Sequence, residues 1–398
     1  MSLVARCALG AIAGIAWVAA VAAGPPLYQV TDLGTLGGGT SAALDINEQG
    51  GVAGWAATEG GQQLGFRRDP GQPMFQLTLY GLEGQATALS DYPEEACGWG
   101  LNPSGTRRAL YFIFDLIVEI GAPTGEPSQA NDVNDLGVTV GWLDEVGFPR
   151  RAFVYGGGVK VFFLPALTGG DSEATAINQA GVIAGVSLNA DGESEAVRWT
   201  PGGVESLGTL GGASSRATGI NAHDQIVGVS DLATPAAMAF LWLPQAAYGL
   251  PEGMNNLGTL DGYTDSIAND INDAGRVVGQ ALGDDSQSPQ AFVWDAAFGM
   301  HDLNTRIPRD EGWELLAATA INNTGRIVGY GLHHGVLRAY RLTPLPLGDF
   351  TGDGCVDQAD LGVLLAAFGV SAVGDLNDDG VTDQADLGIL LANFGACL

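Results

Sequence analysis

One short unit recurs through most of this chain: an apolar residue, Asn, two variable residues, Gly, and an apolar run that closes on a second Gly. The copies read ALDINEQGGVAGW, ANDVNDLGVTVGW, ATAINQAGVIAGV, ATGINAHDQIVGV, ANDINDAGRVVGQ and ATAINNTGRIVGY, closing at Gly54, Gly141, Gly185, Gly228, Gly279 and Gly329. A diverged seventh copy, ALSDYPEEACGW, closes at Gly98, so the spacings are 44, 43, 44, 43, 51 and 50 residues. A single unit of this length cannot bury its own apolar face. Seven of them restrict the fold to a ring or stack of one supersecondary element.

The residues inside the unit specify β structure. Asn47, Asn134, Asn178, Asn221, Asn272 and Asn322 each follow an apolar residue, with Asp91 read into that place in the diverged copy. Three residues later stand Gly50, Gly137, Gly181, Gly275 and Gly325, replaced elsewhere by Asp224 and Glu94. Asn bonds its own turn and Gly accepts positive φ, the requirements of a hairpin loop ending in a bulge. Aromatic, β-branched strands begin at Ala152, Ala239, Ala291 and Ala339, and LGTLGG-like segments begin at Leu33, Leu207 and Leu257. Helical periodicity is missing from this region. Three to four short strands per unit predict an all-β fold, a seven-bladed β-propeller spanning residues 23–343. The last unit lacks one strand, and Tyr28–Gly39 at the amino end is expected to supply it, leaving no open sheet edge.

These three blocks resemble the secreted HAF-type repeat proteins, whose units pair an LGTLGG segment, an A-I-N-x-x-G-x-V-V-G turn and a His-Ala-Phe strand. The resemblance covers Tyr28 to about Pro344 and implies an extracellular propeller with no established activity. The family histidine is replaced here by Arg151, Met238, Gln290 and Arg338.

Within the repeats the recurring Asn and Gly read as turn formers. The loop acids Asp171, Asp191, Glu193, Asp284 and Asp285 are the candidates for glycoside chemistry, which needs paired carboxylates. His333 and His334 are expected on opposite faces of a strand, which would keep them from sharing an ion, and His223 and His301 stand alone. The doublets Arg67-Arg68, Arg107-Arg108 and Arg150-Arg151 are read as charge partners of the many acids. No nucleophile elbow or phosphate loop is present, so no catalytic residue is assigned.

The tail is chemically distinct. GDFTGDGCVDQADLGVLLAAFG at Gly348 is followed by GDLNDDGVTDQADLGILLANFG at Gly374. Loop positions 1, 3, 5, 7, 9 and 12 are Asp349, Thr351, Asp353, Cys355, Asp357 and Asp360, then Asp375, Asn377, Asp379, Val381, Asp383 and Asp386. Gly354 and Gly380 hold position 6. That spacing wraps six oxygens around one point, position 7 giving only its carbonyl, and predicts two Ca²⁺ ions. A helix is expected after each loop. Leu361, Leu364, Leu365 and Phe368, and Leu387, Leu390, Leu391 and Phe394, form apolar stripes ended by Gly369 and Gly395.

This duplicated loop–helix unit resembles the type I dockerin module over Asp349–Leu398. The resemblance implies attachment to cohesin-like proteins in the company of polysaccharide-degrading enzymes. Positions 10 and 11, which help select the cohesin in that family, are Gln358-Ala359 and Gln384-Ala385.

Residues 1–22 read as a secretory signal peptide, with Arg6 ahead of an apolar run and small residues at Ala20 and Ala22. Residues 344–348 read as a proline-rich linker, and 349–398 as the calcium-binding domain. In an oxidising compartment Cys355 and Cys397 are the expected bridge, with Cys97 left over. The formal charge of −29, with Lys160 the one lysine, argues against nucleic acid and anionic membranes as partners. The leading expectation is a secreted, non-catalytic binding or assembly protein whose propeller meets a polysaccharide or protein and whose tail docks to a cell-surface component. The alternatives are a polysaccharide-degrading enzyme and a tail that acts only as an intramolecular clasp.

Overall fold

The computed structural model describes residues 26–397 apart from 79, 93–94, 115, 122–124, 157–159, 285–286, 309–310, 372 and 378. The expected leader, Glu94 and Asp285 lie outside the described residues. The chain divides into a unit of residues 26–345 and a second one that begins at Pro346.

Residues 26–345 form seven four-stranded antiparallel sheets among the described residues, the expected seven-bladed β-propeller. Blades 1 to 6 span residues 37–77, 84–120, 128–163, 172–208, 211–256 and 265–302, each built from four consecutive strands running from the inside of the ring outwards. Blade 7 takes three strands from 313–344 and its outer strand, Tyr28–Asp32, from the other end of the chain. Tyr28 pairs with Pro344, Val30 with Leu342 and Asp32 with Tyr340. The missing strand is therefore supplied from the amino end, but it is shorter than expected. The chain turns at Gly34 (φ 79°), whose amide bonds Asp32 Oδ1, and Gly37 already starts the inner strand of blade 1, Gly37–Ile46.

The repeated motif falls on the first hairpin of each blade. Asn47 Oδ1 accepts from Gly51 N at 2.7 Å, and the same bond recurs from Val138, Val182, Gln225, Arg276 and Arg326 to their turn asparagines. The expected bulge is in this turn, where Asn47 N donates to Gly51 O and Gly50 N, at φ 83°, donates to Asn47 O. A second bulge lies inside the inner strand. Register shifts at Ala43/Asp45, Ala86/Ala88, Ala130/Asp132, Ala174/Ala176, Ala217/Gly219, Ala268/Asp270 and Ala318/Ala320. An extra residue in one strand turns two neighbouring side chains to the same side.

That bulge explains the closing glycine. A Cβ at Gly54, Gly141 or Gly228 would overlap the carbonyl oxygen of Ala42, Gln129 or Arg216. At Gly54 and Gly228 it would also crowd the Phe66 or Phe240 ring, which belongs to the third strand. The two sequence blocks are thus two sides of one contact, and the rings of Phe66, Phe153, Phe240 and Phe292 are fully buried.

In the tail, α1 (Gln358–Ala367) and α2 (Gln384–Ala392) follow the two loops. Asp357 and Asp383 cap them, and Asp360 and Asp386 complete reciprocal capping boxes. Val356, Leu364, Leu376 and Leu390 form the buried core. Cys355 and Cys397 are disulfide-bonded beside a bridge in which Val356 and Gly395–Ala396 exchange backbone hydrogen bonds. The expected apolar stripe is only partly buried: Leu365 and Leu391 are each 54% exposed. A 50-residue module has too little interior to cover both.

Candidate functional site

The bulges place two residues per blade around the axis of the ring, where they line a cavity of about 130 Å³. The first is polar in six blades. The side chains of Thr87, Asn131, Thr175, Thr218, Asn269 and Thr319 donate to the inner-strand carbonyl of the next blade at 2.7–3.0 Å. Leu44 breaks the set between blades 1 and 2.

A second ring lies one turn along the strand. The carboxamides of Asn47, Asn134, Asn178, Asn221, Asn272 and Asn322 donate to the carbonyls of Ser90, Asn178, Asn221, Asn272, Asn322 and Asn47 at 3.0–3.1 Å. Ser90, not Asp91, therefore occupies the asparagine place in blade 2. Its turn closes from Ser90 N to Glu95 O and is one residue longer than Asn47–Gly51, which shifts the motif by one. Ser90 makes no such donation to blade 3.

Asp91 belongs instead to a third ring. Glu48 N donates to Asp91, Asp91 N to Asp135, Asp135 N to Gln179, Ala222 N to Asp273, Asp273 N to Asn323 and Asn323 N to Glu48, at 2.6–3.1 Å. The missing member is at blades 4 and 5, where Ala222 carries no acceptor. The three gaps fall at three different seams, so among the described residues every pair of neighbouring blades keeps at least two links.

The second channel residue is acidic in three blades: Asp45, Asp132 and Asp270. Each carboxylate accepts the amide of the following blade, from Leu89, Ile177 and Ile321, at 2.7, 2.7 and 2.9 Å. Removal from water pushes Asp45 up to about 6, Asp132 to about 8 and Asp270 to about 7, and the Asp45 charge raises the other two further. At the wider mouth, a cavity of about 220 Å³, burial likewise raises Glu48 and Asp91. Sequence reasoning assigned none of these acids to a channel, and Asp91 only to a turn. The available signal was Asp two residues before the turn Asn in ALDIN, ANDVN and ANDIN.

Of the loop acids chosen from sequence, Asp171, Asp191, Glu193 and Asp284 do not line this channel. Asp171 accepts the Arg150 amide, and Asp191 and Glu193 sit in a tight turn whose amides bond Asn189 Oδ1. The histidine expectation fails. His334 is in the turn at φ 50°, not in the strand, and its ring lies 4.5 Å from that of His333. His333 stacks on Trp313 at 4.4 Å and bonds Asp32 at 3.2 Å. His223 sits in the Asn221 turn, and His301 bonds Phe298 O and Arg306. The arginine doublets are mostly paired: Arg67 with Asp69, Arg108 with Glu119, Arg150 with Asp144 and Arg151 with Glu145. Arg107 and Arg150 also stack on Trp99 and Trp142. Cys97 is fully buried as a free thiol.

In the tail, the loop carboxylates face their own backbone. Asp349 accepts from Gly352 N and Gly354 N at 2.7 and 2.9 Å, and Asp375 from Asp379 N and Gly380 N at 3.2 and 2.8 Å. Asp360 accepts from Phe350, Thr351 and Asp357 amides, and Asp386 from Leu376, Asn377 and Asp383 amides. Asp353 and Asp379 each accept from the amide two residues on. Asp357 and Asp383 cap the helices, while Thr351 and Asn377 bond neighbouring loop carboxylates. Among the described residues no three His, Cys, Asp or Glu side chains are gathered as around an ion. The donor set is nonetheless all oxygen. Cys355 sulfur is committed to the disulfide and leaves its carbonyl, as Val381 does, which suits a hard cation and no soft one.

Residues 212–336 match the model of a family described as a protein of unknown function (DUF3466). A comparison with curated proteins finds no match. Among solved structures, the chain is similar to the β-propeller domain of the Trilobed protease from Pyrococcus furiosus, at 10% identity and TM-score 0.48, over 79% of this chain and 93% of that one. It is also similar to YCF48 bound to D1 peptide, at 13% identity and TM-score 0.44, over 81% and 98% of the two chains. The WD40 β-propeller domain of Doa1 gives 13% identity and TM-score 0.44, over 78% and 96%. No helix among the described residues is long and apolar enough to cross a membrane.

Proposed function

We propose that this is a secreted, non-catalytic binding and assembly protein in which the propeller is a rigid platform and the tail a calcium-dependent attachment module. The observation that carries the reading is the duplication in the tail. Two loops with oxygen donors at the same six positions lead into two capped helices, each presenting one exposed leucine, Leu365 or Leu391, at the same place. Asp349, Thr351, Asp353, Asp357 and Asp360, with the Cys355 carbonyl, would hold one ion. Asp375, Asn377, Asp379, Asp383 and Asp386, with the Val381 carbonyl, would hold the other. Bound calcium supplies charge neutralisation for four carboxylates per loop and so fixes the helices for docking. The propeller side rests on its cross-bonded seams, which suit a binding platform better than a moving catalytic site.

The partner expected for the tail is a cohesin-like or other cell-surface protein that reads the two leucines. The test is capture of the full chain by isolated cell-surface proteins, with calcium and then with excess chelator. Capture that requires calcium and fails with Leu365→Asp plus Leu391→Asp supports the proposal. Capture indifferent to both, or no calcium uptake by calorimetry, overturns it.

A further inference from the structure

Seven arginines of this strongly acidic chain form ion pairs among the described residues: Arg67, Arg108, Arg150, Arg151, Arg198, Arg216 and Arg276. Arg68, Arg326 and Arg341 behave differently. They meet at the seam where blade 7, the closing strand and blade 1 come together. Arg341 lies in Val336–Pro344, between Val328 and Thr31 of the closing strand. Arg326 leads into the second strand of the same blade and reaches the first blade's turn, its Nη1 only 3.2 Å from where a Cβ of Gly50 would be. Arg68, in the third strand of blade 1, extends to Leu33 O on the segment leaving the closing strand, at 2.6 Å, and to Gln72 O.

None of the three has an acidic side chain within ion-pair distance among the described residues. Asp69, which also reaches this turn beside Gly51, is engaged by both Nε and Nη2 of Arg67. Arg341 Nε is buried with no hydrogen-bond partner among the described residues. Burial first, then the charges of Arg326 and Arg68, lower the pKa of Arg341. Three half-buried cations held together without a counter-ion destabilise the folded chain, and a buried Nε left without an acceptor adds to the cost. In a chain of net charge −29, acids for pairing are abundant, yet among the described residues the one that reaches this turn, Asp69, is paired with Arg67. Stability given up at one spot on a rigid scaffold is the signature of a binding site.

We infer that the Arg68–Arg326–Arg341 cluster is a binding site for an oxyanion group (phosphate, sulfate or carboxylate) carried by a ligand of the propeller. Guanidinium forks match the oxygens of such groups and form charge-assisted bonds to them. Because the cluster draws on blade 7, blade 1 and the segment after the closing strand, an occupied site also ties the two ends of the ring.

The experiment follows the thermal midpoint of the calcium-free full chain during titration with inorganic phosphate, sulfate or acetate, ionic strength being held with chloride. The expected result is a saturable rise with at least one of the three, the ranking separating tetrahedral from planar anions. Arg326→Gln and Arg341→Gln should each raise the anion-free midpoint, by relieving repulsion, and weaken the anion at least about tenfold. Arg326, whose guanidinium makes no hydrogen bond among the described residues, keeps the test readable if Arg341→Gln fails to fold. No saturable rise with any anion, or a rise that Arg326→Gln leaves unchanged, overturns the inference.

Discussion

The Asn322 carboxamide donates to the Asn47 carbonyl at 3.0 Å, the same contact that links Asn134 to Asn178 and Asn272 to Asn322. A bond between residues 275 positions apart is thus indistinguishable from bonds between adjacent repeats. The ring closes by repeating its interior seam, with Thr319 on Ala43 O and Asn323 N on Glu48 beside it. Asn322 also accepts the Thr324 and Arg326 amides through Oδ1. Asn322→Ala removes both roles from a buried position and should cost about 1–3 kcal/mol, the desolvation cost of the groups left unpaired. Denaturant unfolding of the propeller measures it.

The outer strand of blade 7 depends on Tyr28, which is 1% exposed. Tyr28→Ala should destabilise by about 3–5 kcal/mol, the range for deleting a buried aromatic ring. The Tyr28 hydroxyl is buried with no hydrogen-bond partner among the described residues. Tyr28→Phe should therefore be neutral or stabilising, since it removes an unsatisfied group while keeping the ring. The pair of variants, compared by thermal unfolding, separates packing from hydrogen bonding.

Stability should fall as pH rises from about 4 to about 8. Asp45, Asp132 and Asp270 have folded pKa values of about 6, 8 and 7 against an ordinary 3.8. The folded chain therefore binds more protons than the unfolded chain across that window. The stability gained from these groups is full below the unfolded value and lost as pH passes through the folded ones. Asp132→Asn should flatten the upper part of this slope, between about pH 6 and 8, whatever it does to absolute stability. Unfolding free energies at a series of pH values decide it.

Cys355 and Cys397 are 42 residues apart in sequence. A bridge closing a loop of that size contributes about 4 kcal/mol by the chain-entropy argument. Reduction should leave the propeller transition in place and remove or lower the tail transition in calcium-free buffer, read by calorimetry with and without reductant.

For calcium, the position-12 aspartates are poor test sites, because Asp360 and Asp386 already hold three backbone amides each and complete the helix caps. Asp353 and Asp379 are exposed and each accept the backbone amide two places on, Asp379 also accepting the Asn377 carboxamide. Asn keeps that acceptor and removes the charge. Asp353→Asn plus Asp379→Asn should weaken calcium at least about tenfold while changing calcium-free stability by about 0.5 kcal/mol or less. Isothermal calorimetry and metal-free melting check the two halves.

The amino-acid sequence by itself determined the blade count, the turn positions of six blades, the strand donated from the amino end and the helix after each tail loop. Each of these is written in short-range chemistry: Asn with Gly three residues later, a period near 45 residues, alternating strand residues, Asp at fixed loop positions. Only the tertiary structure decided the rest. A second bulge, inside the inner strand, sends Asp45, Asp132 and Asp270 to the channel. Ser90 takes the asparagine place because the second blade's turn has one more residue. His334 leaves the strand at positive φ and meets His333. Leu365 and Leu391 stay exposed because the tail has too little interior. Arg68, Arg326 and Arg341 meet only once the ring closes. The reason is common to all of these. Local patterns fix what each unit is, whereas burial, charge and partners depend on residues some 43 to 51 positions away, or on the far end of the chain, that only closure of the ring brings alongside.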